Sequence, residues 1–94
     1  MNNNLVSLNI IKKKLNTLPE EIKNKISDFG YSIAKNKKYY VIYDDHKINY
    51  GDKRYEDYLI HKDNIRRLKY KNRHKNDPYN DPSKPAYWSW YILW

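Results

Sequence analysis

An α+β fold is what this sequence predicts: two N-terminal helices, a small antiparallel three-stranded meander, a long basic helix and a short aromatic C-terminal helix. Three observations lead there. Apolar residues recur at helical spacing in the first third and alternate with period two through the middle. They then return to helical spacing inside a heavily charged stretch. With 94 residues, the chain has room for one domain and one modest core, so residues 1–94 are taken as a single unit. It has no cysteine, which removes disulfides and thiolate metal sites as supports.

In order along the chain, Met1–Asn4 is polar and is expected to be a disordered start. Leu5, Leu8, Ile11 and Leu15 then predict a helix over 5–15, with Lys12 to Lys14 on its other side. Thr17-Leu18-Pro19-Glu20 has the form of a capping box opening a second helix over 18–29. Its stripe is Leu18, Ile22, Ile26 and Phe29, and Gly30 is placed to end it in a left-handed cap. Strands follow over 31–35, 39–43 and 47–50, where aromatic and β-branched residues alternate. Asn36-Lys37 and Asp44-Asp45 stand where tight turns are needed, and Gly51-Asp52 closes the meander.

A long helix is predicted over 54–75, with Tyr58, His61, Ile65 and Leu68 on one face and the basic residues mainly elsewhere. Asn76-Asp77-Pro78 stops it, since proline removes a donor and disfavours helix in the residue before it. Segment 76–85 reads as a Pro/Asn/Asp loop. Ser83 is expected to cap a last helix over 84–94, with Pro85 in its first turn.

Nineteen Lys and Arg against eleven Asp and Glu give a net charge of +8. That balance favours polyanionic partners: acidic protein surfaces, nucleic acid or an anionic membrane. Lys, Asn, Ile and Tyr are also what an A/T-rich genome writes, so the lysines alone are discounted. The four arginines, all between Arg54 and Arg73, are not. Arg54, Arg66, Arg67, Lys69, Lys71 and Arg73 are therefore the candidate polyanion-binding set, because a guanidinium can donate two parallel hydrogen bonds to one anion. The alternative is a solvated helix face with intramolecular salt bridges. No helix-turn-helix, zinc-finger or RNA-recognition signature accompanies the set.

The aromatic terminus Tyr87, Trp88, Trp90, Tyr91 and Trp94 is apolar nearly all round, so it either completes the core or anchors a contact. His61, His74 and Asp63 invite a metal-dependent nuclease reading. Their spacing forms no compact ligand pair, and packed or salt-bridged histidines are commoner. No catalytic residue, metal or cofactor is assigned, and an enzyme is not expected. The longest apolar run is about half of what a membrane-spanning helix needs, so a soluble protein of a reducing compartment is expected. Oligomeric state is left open.

The series Tyr-Gly-Asp-Lys-Arg-Tyr-Glu-Asp-Tyr, His-Lys-Asp, Arg-Arg, Arg-His and the closing Trp-Ser-Trp-Tyr-Ile-Leu-Trp resembles a small family of nucleocytoplasmic large DNA viruses, including the mimivirus and chlorella virus groups. The likeness covers about residues 38–94. It carries Gly51, Tyr55, Asp57, Tyr58, His61, Asp63, Arg66, Arg67, Tyr70, Arg73, His74, Ser89, Leu93 and Trp94. The loop over 76–85 departs from it. The resemblance implies a virion or packaging protein made in the host cytoplasm, in a viral factory, meeting an acidic viral protein or nucleic acid. A host-directed adaptor is a further alternative. Leu18-Pro19-Glu20-Glu21-Ile22 also resembles the opening of an F-box, but too little helix follows it.

Overall fold

The computed structural model describes residues 4–94 and has the α+β architecture that the sequence predicts. Of the expected disordered start, Met1 to Asn3 lie outside the described residues. Asn4 is fixed, its side-chain amide donating to the Lys53 carbonyl at 3.0 Å.

Helix α1 spans Leu8–Leu15 and buries Ile11 and Leu15. The Thr17 hydroxyl does not cap the next helix. It donates to the Lys14 carbonyl at 2.6 Å and so closes α1. Helix α2 is a single turn, Glu20–Lys23, with no side-chain cap. The rest of the expected second helix is extended: Ile26–Tyr31 is strand β1. The cause is a bulge. Pairing with β2 shifts register between Ile26 and Asp28, so one extra residue, Ser27, separates the inward positions. Ile26 and Phe29 thus fall three apart, a spacing that reads as helix. Gly30 is not a helix cap either: a Cβ there would lie 2.9 Å from the Tyr40 ring, which packs across it.

Strands β2 (Lys37–Tyr43) and β3 (His46–Asp52) complete an antiparallel sheet of order β1-β2-β3. The first expected strand, 31–35, is instead mostly the connection from β1 to β2, which turns at Asn36 (φ +62°). Asp44 and Asp45, at φ +51° and +65°, form the two-residue hairpin turn expected there, since both central positions of a type I′ turn need positive φ. One face of the sheet presents Tyr39, Val41, Tyr43, Ile48 and Tyr50, and the layer over it comes from α1 and the C-terminal segment. Trp88, Ile92 and Leu93 are essentially fully buried in that core.

The long helix expected over 54–75 is two helices. α3 (Tyr58–His61) ends at Lys62, whose φ of +52° is left-handed, and α4 (Asn64–Arg73) begins at once. Two aspartates dictate the break. The Asp57 carboxylate accepts from the Leu59 amide, and that of Asp63 accepts from Ile65 and Arg66, so each nucleates its own N-terminus. After the loop, α5 (Pro85–Trp88) runs into a π-helical segment, Ser89–Leu93. Pro85 occupies its first turn as expected. Ser83 does not cap it: the Ser83 hydroxyl and amide both donate to Asp81.

Candidate functional site

The basic helix α4 is docked the opposite way from what hydrophobic patterning suggests. Four side chains on one arc, Arg67, Tyr70, Lys71 and His74, face the body of the protein. The Tyr70 ring stacks on Trp94 at 4.2 Å, with the ring planes only 4° apart. Arg67 Nε donates to the Trp94 main-chain oxygen at 2.6 Å, and its guanidinium rests over the Tyr58 ring at 5.0 Å. Lys71 places its ammonium 4.7 Å from the Trp90 ring centre. His74 lies against Tyr70 at 4.3 Å and pairs with Asp77 at 2.6 Å. Ile65 and Leu68, the apolar pair, point the other way and are 66% and 69% exposed; no residue of α4 is buried. An aromatic bed explains the inversion, because cations and a tyrosine ring gain more over the faces of Trp90 and Trp94 than aliphatic branches do.

That docking divides the six candidate polyanion-binding residues. Arg54 grips Asp52 with Nε and Nη2, at 3.0 and 2.8 Å, and holds its carboxyl down at about 2. Arg66 pairs with Glu56 at 3.1 Å. Arg67 and Lys71 lie on the aromatic bed. Burial, with the charges of Arg67 and of Lys14 from α1, lowers the Lys71 ammonium below its ordinary value. Lys69 and Arg73 are left: neither side chain makes a hydrogen bond or ion pair among the described residues. The six therefore do not form one free patch.

The aromatic terminus is likewise divided. Tyr87 and Trp88 belong to the core, with the Trp88 indole donating to the Pro82 carbonyl at 2.9 Å. Trp90 and Trp94 are half-buried and form the bed, with Trp90 stacked on Tyr79 at 4.1 Å. Tyr91 is 39% exposed.

Between α4 and the end of the sheet where Lys37 and Gly51 lie is a cleft of about 730 Å³. Lys37, Lys69 and Arg73 line it, together with Tyr55, Tyr70 and Trp94. Also in its lining is an ion pair with no forewarning in the sequence: Lys38 Nζ to Asp57 Oδ2 at 2.7 Å, with the side chains 1% and 4% exposed. Burial pushes the Asp57 carboxyl up, while the Lys38 hydrogen bond and charge and the Leu59 amide pull it down. The available signal was a lysine set among β2 aromatics. Nothing in the sequence pairs it with an aspartate nineteen residues on.

His61, His74 and Asp63 are each engaged locally. Nδ1 of His61 accepts from the Asp63 amide at 2.9 Å, while its Nε2 is buried beside Trp94 with no hydrogen-bond partner among the described residues. Burial and the Arg66 charge hold the His61 imidazole below its ordinary value. Asp63 serves the α4 N-terminus. Among the described residues no group of three or more His, Cys, Asp or Glu is arranged to hold a metal, and no helix is long and apolar enough to cross a membrane.

A family model described as a family of unknown function (DUF5754) matches residues 28–74, half of the chain, from β1 to the end of α4. No curated protein and no solved structure matches.

Proposed function

The chain belongs to that family of unknown function, DUF5754, and from this premise we propose that it is a non-enzymatic docking protein that holds an acidic protein surface through the outward arc of α4. The observation that supports the reading is the exposure of Ile65 and Leu68 at 66% and 69%, with the unpaired cations Lys69 and Arg73 along the same helix. Apolar side chains ringed by charge are the anatomy of a protein interface, with a dry centre and a polar rim. A nucleic acid backbone would take the cations but gain little from Ile65 and Leu68, because phosphates offer no apolar surface. The resemblance to large DNA virus proteins supplies the setting: a structural or packaging component of the particle, assembled in the viral factory, with an acidic particle protein as partner.

The test places a photocrosslinker at Asn72, one turn on from Leu68, and identifies what it captures in purified particles. The captured protein is then titrated against the wild type and Ile65→Asp/Leu68→Asp. An acidic partner whose affinity for the wild type falls as salt rises, and drops at least tenfold in the double variant at low salt, supports the reading. Absence of the chain from particles rules out the virion setting. Salt-sensitive binding of duplex DNA that the double variant leaves intact puts nucleic acid in place of protein as the partner.

A further inference from the structure

The cleft between α4 and the sheet carries a separate inference. Its volume of about 730 Å³ lies within the range of small-molecule sites. Each carboxylate in its lining already has a cation or imidazole: Asp52 has Arg54, Glu56 has Arg66, Asp57 has Lys38 and Asp77 has His74. The side chains of Lys69 and Arg73 have no such partner among the described residues, and Lys37, opposite Asp52 in the β2–β3 register, shares that carboxylate with Arg54. Lys69 and Arg73 are four apart on α4, hence one above the other on the same face, and Lys37 enters from the start of β2. Two unpaired cations and the partly compensated Lys37, from two elements, line one concave space, where low-dielectric walls strengthen their field. Arg73 brings the planar fork that suits phosphate oxygens, and the two lysines bring point charges.

The remaining lining is not a plain anion hole. Tyr55 is 64% exposed there, with the Arg54 guanidinium 5.8 Å from its ring centre. Pro85, Ala86 and Leu93 add apolar surface. An aromatic ring open to solvent beside a cationic pocket offers a stacking surface for a planar base. We propose that this cleft binds a nucleoside polyphosphate, with Lys37, Lys69 and Arg73 on the phosphates and Tyr55 against the base. Lys69 and Arg73 serve both readings, whereas Lys37 and Tyr55 belong to this cleft alone, so the variant of Tyr55 separates the two.

Calorimetric titration of the full chain with ATP, tripolyphosphate and adenosine decides it. ATP is expected to saturate a single site and tripolyphosphate to bind about tenfold more weakly, while adenosine gives no heat. Lys69→Ala and Arg73→Ala should each weaken ATP binding about tenfold. Tyr55→Ala should bring ATP down to the affinity of tripolyphosphate. Ile65→Ala/Leu68→Ala, which adds no charge beside Lys69, should leave ATP binding as it is. All of these positions are exposed, and circular dichroism confirms that each variant is folded. Three results overturn the proposal: no heat from ATP at millimolar concentration, equal affinity for ATP and tripolyphosphate in the wild type, or undiminished ATP binding by Lys69→Ala/Arg73→Ala.

Discussion

Asp57 serves two structures with one carboxylate: Oδ1 caps α3 and Oδ2 accepts from Lys38 in a nearly dry site. Taking away one member of such a pair strands the other charge, which costs about 3–5 kcal/mol. Asp57→Ala should therefore lower stability by that amount, read from the midpoint of urea unfolding. Lys38→Met with Asp57→Asn should recover most of the loss, because Asn still accepts from Leu59 and no buried charge remains. His61 gives a pH dependence of definite sign. Burial first, and the Arg66 charge second, depress its folded pKa below the usual 6.5. Between the two values the unfolded chain binds more protons than the folded one, so stability falls as pH drops through that window and levels off below it. Denaturation between about pH 7.5 and 5 should show the slope, and His61→Phe should flatten it.

At the scale of elements, α4 is attached by stacking and cation–π contacts rather than by burial. Tyr70→Ala removes the ring that meets Trp94, at a cost of about 2 kcal/mol borne locally. Hydrogen exchange followed by mass spectrometry should find the α4 amides unprotected in that variant while those of β2 and β3 stay protected. The same element shows what sequence reasoning could reach. Helical character on either side of Lys62 and the stop before Pro78 were legible, as were the Asp44-Asp45 turn and Pro85 in a first turn, because each is local chemistry, whereas the break at Lys62 was not. Which face of α4 docks was not legible. The usual rule puts Ile65 and Leu68 inside, and only the aromatic bed from residues 90 and 94 reverses it. Strand β1 was hidden by the extra residue Ser27, which turned a two-residue alternation into a three-residue spacing. Lys38–Asp57 was unreadable because it depends on how β2 and α3 meet. Of the candidate polyanion set, Lys69 and Arg73 stand free, whereas acids and rings distant in sequence hold the others.

At the scale of the whole molecule, a net charge of +8 surrounds three indoles in unlike positions. Trp88 is fully buried, whereas Trp90 and Trp94 are partly open beside Lys71 and Arg67. Iodide, concentrated by the positive field, should quench the fluorescence of the open pair far more than caesium does, and leave a residual emission from Trp88. Stern–Volmer plots at matched ionic strength check this, and Trp88→Phe should remove the unquenched fraction.

Outward-facing Ile65 and Leu68 also bear on how the protein behaves in concentrated solution. At about 0.1 M salt the screening length is about 10 Å, and like charge keeps copies apart; near 1 M it shrinks to about 3 Å and that barrier collapses. Nothing then opposes the meeting of aliphatic pairs from two molecules, and lyotropic anions such as sulfate sharpen the tendency. Brine that strips this chain from an acidic surface thus encourages it to cluster with its own kind.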